Sequence, residues 1–537
     1  MKTLLRSMTA PGMLLAFALN VQAAPLPEAV RQELHRARIP TDAVAIEVRE
    51  VGKPLPLLSL NATQAVNPAS TMKLLTTYAG LEILGPAYRW KTEAYLDGEL
   101  VDGVLYGNVI FKGYGDPKLT IEAFWLWLRE LKQRGLRDIR GDIVLDSSFF
   151  TDNSNDPSVF DNKPARAYNV VPNALLLNFN ALHLRLLPNG HGKNIAPDDA
   201  DDSRRDIAHG GNNSQTRHAR FPLPEPPPPA SGRGSEREKQ SLIPAGEGTN
   251  ESLREVHIIG GQTTALLEPE LYGYQLSNRI TTSASLPCNG EDAYQSRLED
   301  HKIVLEGIIP ALCGETQDYF SPLPPEEYFF AVFTALWQEL GGQIRGKVRP
   351  GHAPDSLPAF STHISPPLSE AIRDINKFSN NVMARQLFLT LGTVDQNTAG
   401  IARSSAAVRQ WLEKKQLQFP ELVLENGAGL SRTERISAQH LSNILQNAAL
   451  SPYSAELEAS LPILGMDGTT KGRFKGSEIA GHAHLKTGSL EGVKSIAGYV
   501  HAKSGKQWSI VFIINHPNAK FAQPAQDALI EWLQKLH

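Results

Sequence analysis

Ser70 and Lys73 stand one helical turn apart in Asn67-Pro68-Ala69-Ser70-Thr71-Met72-Lys73, the one Ser-x-x-Lys spacing in the 537 residues. A serine hydroxyl is a poor nucleophile at neutral pH until a base lies within hydrogen-bond reach, and an i, i+3 lysine on a helix supplies an amine there. The run from Thr71 to Leu84, closed by Gly85-Pro86, predicts a largely buried helix with Ser70 in its first turn. Unpaired backbone N–H groups and the positive dipole end there favour a developing oxyanion. Composition alone yields about two such spacings in a chain of this length, so the pair gains weight only from its companions. Two segments qualify. Ser379-Asn380-Asn381 is a polar break ahead of an amphipathic helix, which by itself reads as a cap. Lys486-Thr487-Gly488 follows an apolar run and predicts a strand whose Gly488 admits a substrate backbone and whose edge can bind an extended peptide. Lys503-Ser504-Gly505 fits the same Lys-Thr/Ser-Gly pattern. It falls between two apolar runs, Ser495 to His501 and Trp508 to Asn515, and predicts a hairpin turn.

Ser-x-x-Lys, Ser-x-Asn and Lys-Thr-Gly in that order resemble the signature set of penicillin-recognising acyl-serine enzymes. The lead-in Ser59 to Thr76 is similar to that of D-alanyl-D-alanine carboxypeptidases. Gly113-Tyr114-Gly115-Asp116-Pro117, Gly141-Asp142-Ile143-Val144-Leu145-Asp146, Asn426-Gly427-Ala428-Gly429-Leu430-Ser431-Arg432 and Gly465-Met466-Asp467-Gly468-Thr469 narrow the resemblance. They point to the class C low-molecular-mass, penicillin-binding protein 4 type carboxypeptidase/endopeptidases. Roughly 300 residues separate Ser70 from Ser379, far more than a compact β-lactamase needs, and extra length of this order means extra domains. The resemblance implies an α/β fold: a β-lactamase/transpeptidase-like domain with an antiparallel sheet flanked by helices, interrupted by a large β-rich two-domain insertion.

The same resemblance implies roles. Ser70 is the nucleophile and Lys73 its base, which requires a lysine pKa well below 10.4, as burial and the nearby Lys486 cation can produce. Lys486 and Thr487 bind the terminal carboxylate, the N–H groups of Ser70 and Ser489 form the oxyanion hole, Ser379 relays protons and Asn381 holds the peptide amide. Peptidoglycan stem peptides are the implied partners and β-lactams the implied inhibitors; a homodimer is left open. No cofactor is implied, and no cysteine or histidine spacing suggests a metal. Two departures stand out: Asn380 where Asp is common, and Asn426-Gly427-Ala428-Gly429 in place of Asp-Gly-Ser-Gly. A Trp-rich segment expected before Tyr168 is replaced by Phe160-Asp161-Asn162-Lys163. Asp161 can there pair with a diaminopimelate ammonium or serve as an ordinary loop carboxylate. A β-lactamase-like hydrolase and a non-catalytic cell-wall-binding scaffold remain as alternatives.

The ends and texture of the chain complete the reading. Met1 to Arg6 is basic, Met13 to Val21 apolar, and Val21-Gln22-Ala23 offers a cleavage site, so 1–23 reads as a signal peptide of a protein exported to the periplasm, with no later span long enough to be transmembrane. Cys288 and Cys313, the two cysteines, either form a disulfide in that oxidising compartment or remain as buried thiols. A formal charge of −4 with mixed signs argues against nucleic acid. The expected division is 24–90 with 361–537 for the catalytic unit and 91–188 with 256–360 for the accessory part. Residues 189–255 are too polar and Pro-rich to offset their ordering entropy, and predict a disordered insertion. Ala525 to Leu536 is amphipathic and predicts a helix packed on the sheet rather than a membrane-surface anchor.

Overall fold

The computed structural model describes residues 24–151, 156–188, 263–288, 294–393 and 398–536. The leader 1–23 and the polar insertion 189–255 lie outside the described residues. A five-stranded antiparallel sheet joins the two ends of the chain, in the order Ala483–Leu490, Val493–His501, Gln507–Asn515, Val44–Glu50, Leu58–Leu60. Its middle strand, Gln-Trp-Ser-Ile-Val-Phe-Ile-Ile-Asn, is apolar almost without interruption because both faces are covered, as in any strand sandwiched between helical layers. Ile510, Phe512 and Ile514 face the first and last helices, while Val511 and Ile513 face the helices around Ser70. The C-terminal helix Gln523–Gln534 buries Ala525, Leu529, Ile530 and Leu533 against the sheet, so its apolar stripe is spent on the core. Lys503-Ser504-Gly505 is the exposed turn of the hairpin, with Gly505 at φ +82°.

The helix after Ser70 runs Lys73–Ile83, preceded by a 3₁₀ turn Ala69–Met72 and stopped at Gly85 with φ +84°. It is buried on nearly every side from Lys73 to Leu81, so its sequence lacks a polar face. Leu368–Lys377, Asn381–Leu391 and Ala438–Ala449 pack around it.

Between these halves the chain builds a seven-stranded mixed sheet around Lys91–Val101 and Val104–Gly113, and two three-stranded sheets. Two helices, Ile121–Gln133 and Pro325–Glu339, pack on the seven-stranded sheet, and Phe111, Phe124, Trp127, Phe329 and Phe333 interlock edge to face in the core between them. The strand Leu182–Leu187 follows a 3₁₀ turn at Asn178–Asn180 in which all three residues are at positive φ. The return predicted at residue 361 comes slightly later. Ser361–Ile364 pairs with Lys91–Ala94 at the edge of the seven-stranded sheet, and the chain rejoins the helical layer at Leu368. Cys288 and Cys313 are joined as a disulfide. Among the described residues no helix is long and apolar enough to cross a membrane.

Candidate active site

Asn67 sets up the nucleophile turn. Its Oδ1 accepts from the Ala69 N–H, its Nδ2 donates to the Ser431 carbonyl, and Ala69 is held at φ +47°, a conformation that costs a non-glycine residue about 1 kcal/mol. Ser70 follows, partly exposed, while Lys73 is wholly buried one turn on. The Lys73 Nζ lies 2.9 Å from Ser70 Oγ, 2.6 Å from Asn381 Oδ1 and 2.5 Å from the Ala428 carbonyl. Burial holds the Lys73 amine well below its ordinary pKa, and the charge of Lys486 pushes it further down against a weaker upward pull from Glu434. A neutral amine at hydrogen-bond distance is what a general base for Ser70 requires.

The second motif divides its work. Asn380 is the helix cap, its Oδ1 accepting from the Met383 N–H, which explains why its identity can differ from Asp without touching the site. Ser379 sits at φ +58°, so the chain turns sharply and presents Ser379 and Asn381 toward the lysines. Asn381 therefore holds Lys73 directly, a contact in addition to the peptide-amide role implied for it. Lys486, also wholly buried, donates to Ser379 Oγ at 2.8 Å and to the Thr487 carbonyl at 2.7 Å. Desolvation lowers its pKa to about 7.

Lys486 belongs to the edge strand Ala483–Leu490. Main-chain groups of alternate residues in an antiparallel ladder point to opposite sides. Those of Ala483 and Leu485 bond the segment 462–464, and those of Thr487 and Ser489 point outward beyond its end. The expected peptide-binding edge thus begins where that covering segment stops, and Ser489 is exposed there. Gly488 differs from expectation. A Cβ on it would lie 2.2 Å from Ser495 Oγ and 3.0 Å from both the Pro68 carbonyl and the Ser70 nitrogen. Its missing side chain admits the nucleophile turn, rather than a substrate backbone, against the strand.

One residue of the site carries no sequence signature, and residues of the two loop motifs work beside it. Glu434, wholly buried, accepts with one Oε1 from three successive amides, those of Glu425, Asn426 and Gly427. It thereby shapes the loop whose Ala428 carbonyl grips Lys73. Gly429 at φ +76° is pressed so close to Ala69 that a Cβ would meet its carbonyl oxygen at 1.8 Å. Since Ala428 contributes a carbonyl, a methyl side chain there costs the Lys73 contact nothing. Thr469 accepts from Thr487 Oγ1 at 2.7 Å, and Asp467 pairs with Lys377 at 2.6 Å, tying that loop to the segment before Ser379. A lone acid such as Glu434 reaches the site through the fold and not through spacing. Asp161 has a different setting: Tyr168 and Asn169 side chains and the Lys163 N–H donate to it, so it closes its own loop. That loop approaches the catalytic layer through Phe160, whose ring lies 4.9 Å from the Arg432 guanidinium.

Known proteins are similar to this chain in sequence and in fold. A D-alanyl-D-alanine carboxypeptidase of Haemophilus influenzae is 23% identical over 439 residues, 81% of this chain and 78% of its own length. A D-alanyl-D-alanine carboxypeptidase of an Actinomadura species is 26% identical over 458 residues, 82% and 72% respectively. The crystal structure of penicillin binding protein 4 from Haemophilus influenzae superposes with a TM-score of 0.67 at 21% identity, covering 94% of this chain and 99% of that one. The same protein in complex with a β-lactam gives 0.65 at 20% identity, with the same coverage. A model of the D-Ala-D-Ala carboxypeptidase 3 (S13) family matches residues 26–221 and 250–536. With a partly exposed Ser70 beside the buried Lys73, Lys486 and Asn381 and a family match over most of the chain, this protein belongs to the D-Ala-D-Ala carboxypeptidase 3 (S13) family of peptidases.

Proposed function

We propose that the protein is an exported serine D,D-peptidase that acts on peptidoglycan peptides ending in, or cross-linked through, D-alanine. The observation that carries the reading is the wholly buried Lys73 amine, 2.9 Å from Ser70 Oγ, with its pKa lowered by burial and by Lys486. Ser70 Oγ attacks the carbonyl carbon of the penultimate D-alanine while its proton passes to Lys73 Nζ. The oxyanion faces the N–H groups of Ser70 and Ser489. The tetrahedral intermediate collapses, the C–N bond breaks, and the leaving amine takes a proton through Ser379, which Lys486 touches at 2.8 Å. Lys486 and Thr487 receive the substrate carboxylate. Water then attacks the acyl ester, returns its proton to the site and releases the shortened peptide. Asp161 is left out of this machinery because three donors of its own loop hold it there.

A β-lactam amide acylates Ser70 by the same steps. Among the described residues the groups bonded to the Lys73 amine are Ser70, Asn381 and the Ala428 carbonyl, with no carboxylate among them to activate a deacylating water, which favours a slow deacylation over a β-lactamase-like turnover. Two lysines buried at such cost have no use in a scaffold. The Cys288–Cys313 disulfide fits an oxidising compartment outside the cytoplasm.

The test is intact-mass analysis after exposure to benzylpenicillin, followed for hours. A lasting adduct on the Ser70 peptide, absent in Ser70→Ala, is the expected result. Labelling of a folded Ser70→Ala variant refutes the assignment. An adduct that clears in seconds supports the β-lactamase reading, and no adduct with no drug turnover supports the scaffold. Purified muropeptides, cross-linked and not, then divide endopeptidase from carboxypeptidase activity.

A further inference from the structure

Outside the catalytic cluster, one group of three metal-capable side chains converges among the described residues: Glu458, His484 and His501, with one ligand atom from each within 4.8 Å of the others. They come from three elements, the short helix Ser454–Ser460 and the strands Ala483–Leu490 and Val493–His501. No local spacing could reveal them. We propose that these three side chains bind one divalent transition ion of the zinc class.

The chemistry of the donor set supports this. Two imidazoles and a carboxylate are a common set for zinc and cobalt, and three protein ligands leave a fourth position for water. His484 has its Nδ1 3.2 Å from the Glu458 main-chain carbonyl, so the N–H sits there and the lone pair on Nε2 is left for a metal. That is the outer-shell bond that fixes a ligating imidazole's tautomer and orientation. His501 Nε2 stands 2.6 Å from Glu458 Oε1, and Gln507 Nε2 donates to Glu458 Oε2 at 2.9 Å, which steers the first carboxylate oxygen toward the imidazoles. A metal entering between His501 Nε2 and Glu458 Oε1 replaces the proton they share, and that proton leaves to solvent. The two rings meet edge to face with centroids 5.8 Å apart, so a small rotation brings both nitrogens to one point. The site is reachable, since the side chains of His501 and Glu458 are 41% and 23% exposed.

His484 lies two residues before Lys486 on one strand, hence on the same face of the sheet. A bound ion would pin the buried end of the catalytic edge strand to its neighbour and to the helix that begins at Ser454. It binds the folded arrangement alone and therefore raises its stability.

The experiment uses tag-free, chelator-treated full-length mature protein titrated with Co²⁺, because cobalt reports coordination through visible bands. Expected are one equivalent bound below roughly 100 µM, displacement by Zn²⁺, and a zinc-dependent rise in melting temperature of about 2 °C. His484→Gln and His501→Gln each abolish the bands and the rise, while penicillin acylation shows that the variants are folded. Should the native protein give no bands and no zinc-dependent rise, Glu458 and His501 are a simple ion-pair brace and the proposal fails. It fails equally if both responses persist in the two variants, since the ion then sits on others of the 15 histidines.

Discussion

Lys486-Thr487-Gly488 and Lys503-Ser504-Gly505 share a pattern and almost nothing else. In the first the lysine is wholly buried, its amine fixed by Ser379 and its own neighbour's carbonyl, and the glycine lies against the backbone of Ser70. In the second all three residues are exposed, Lys503 pairs with a surface glutamate, Glu478, and nothing lies within 4 Å of a Cβ on Gly505. The triplet has chemical meaning only where the fold removes water from the ammonium and brings a nucleophile to the glycine.

The largest separation of the two comes from removing the amines. Lys73→Met keeps the length and apolar packing of the buried stem but deletes the base, and acylation by benzylpenicillin is expected to slow by about 10³-fold or more. Lys503→Met leaves the rate unchanged. Stopped-flow acylation checks both; a Lys73→Met enzyme within tenfold of the native rate would remove Lys73 as the base.

The glycines follow. Gly488→Ala forces the edge strand and the Ser70 turn apart, because the new methyl group meets Ser495 Oγ and two backbone atoms at or below 3.0 Å. A displacement approaching 1 Å at the nucleophile costs on the order of 10²-fold in acylation. Gly505→Ala has space for its methyl group and pays only for the left-handed φ of +82°, about 1 kcal/mol of stability with no change in acylation. Equal effects of the two substitutions on acylation would break the contrast.

The pH profile sharpens it further. Lys73 must be neutral to accept a proton, so kcat/KM rises with pH through its lowered pKa. Lys486 must be charged to receive a carboxylate, so kcat/KM falls as pH passes through about 7 in the free enzyme. Lys486→Arg keeps the charge and is expected to move the alkaline limb upward, with a lower maximum because a guanidinium fits the Ser379 contact differently. Lys503→Arg shifts neither limb.

These contrasts also mark how far the sequence could be read. Ser70, Lys73, Ser379, Asn381 and Lys486 were legible because each contributes a side chain at a fixed local spacing. The sheet and its terminal helix were legible from the nearly continuous apolar run Trp508 to Ile514 and the amphipathic run from Ala525. Glu434 was not, since its part is to collect three amides from a loop seven to nine residues before it, a relation that leaves no periodic trace. Gly488 was read as room for substrate because strand glycines often serve that end, whereas register against Ser495 and the Pro68 turn decides its use here. The late return of the chain at Leu368 depended on a strand pairing with Lys91–Ala94, a partner some 270 residues away in sequence.

Glu434 supplies the smallest effect and the closest test of why one lysine cluster is reactive. Its carboxylate raises the Lys73 pKa against the larger lowering by burial and Lys486. Glu434→Gln removes the charge yet keeps an oxygen for the three amides of Glu425, Asn426 and Gly427. The loop should hold, the Ala428 carbonyl should stay on Lys73, and the Lys73 pKa should fall further. The acid limb of the acylation profile is therefore expected to move to lower pH, with the plateau changed less than about threefold. Glu434→Ala instead leaves three loop amides without their acceptor, at about 1–3 kcal/mol for each that stays buried, and should lower stability and the plateau together. If the acid limb of Glu434→Gln moved to higher pH, or stayed in place while the plateau collapsed, Glu434 would act on Lys73 through loop geometry alone and not through its charge.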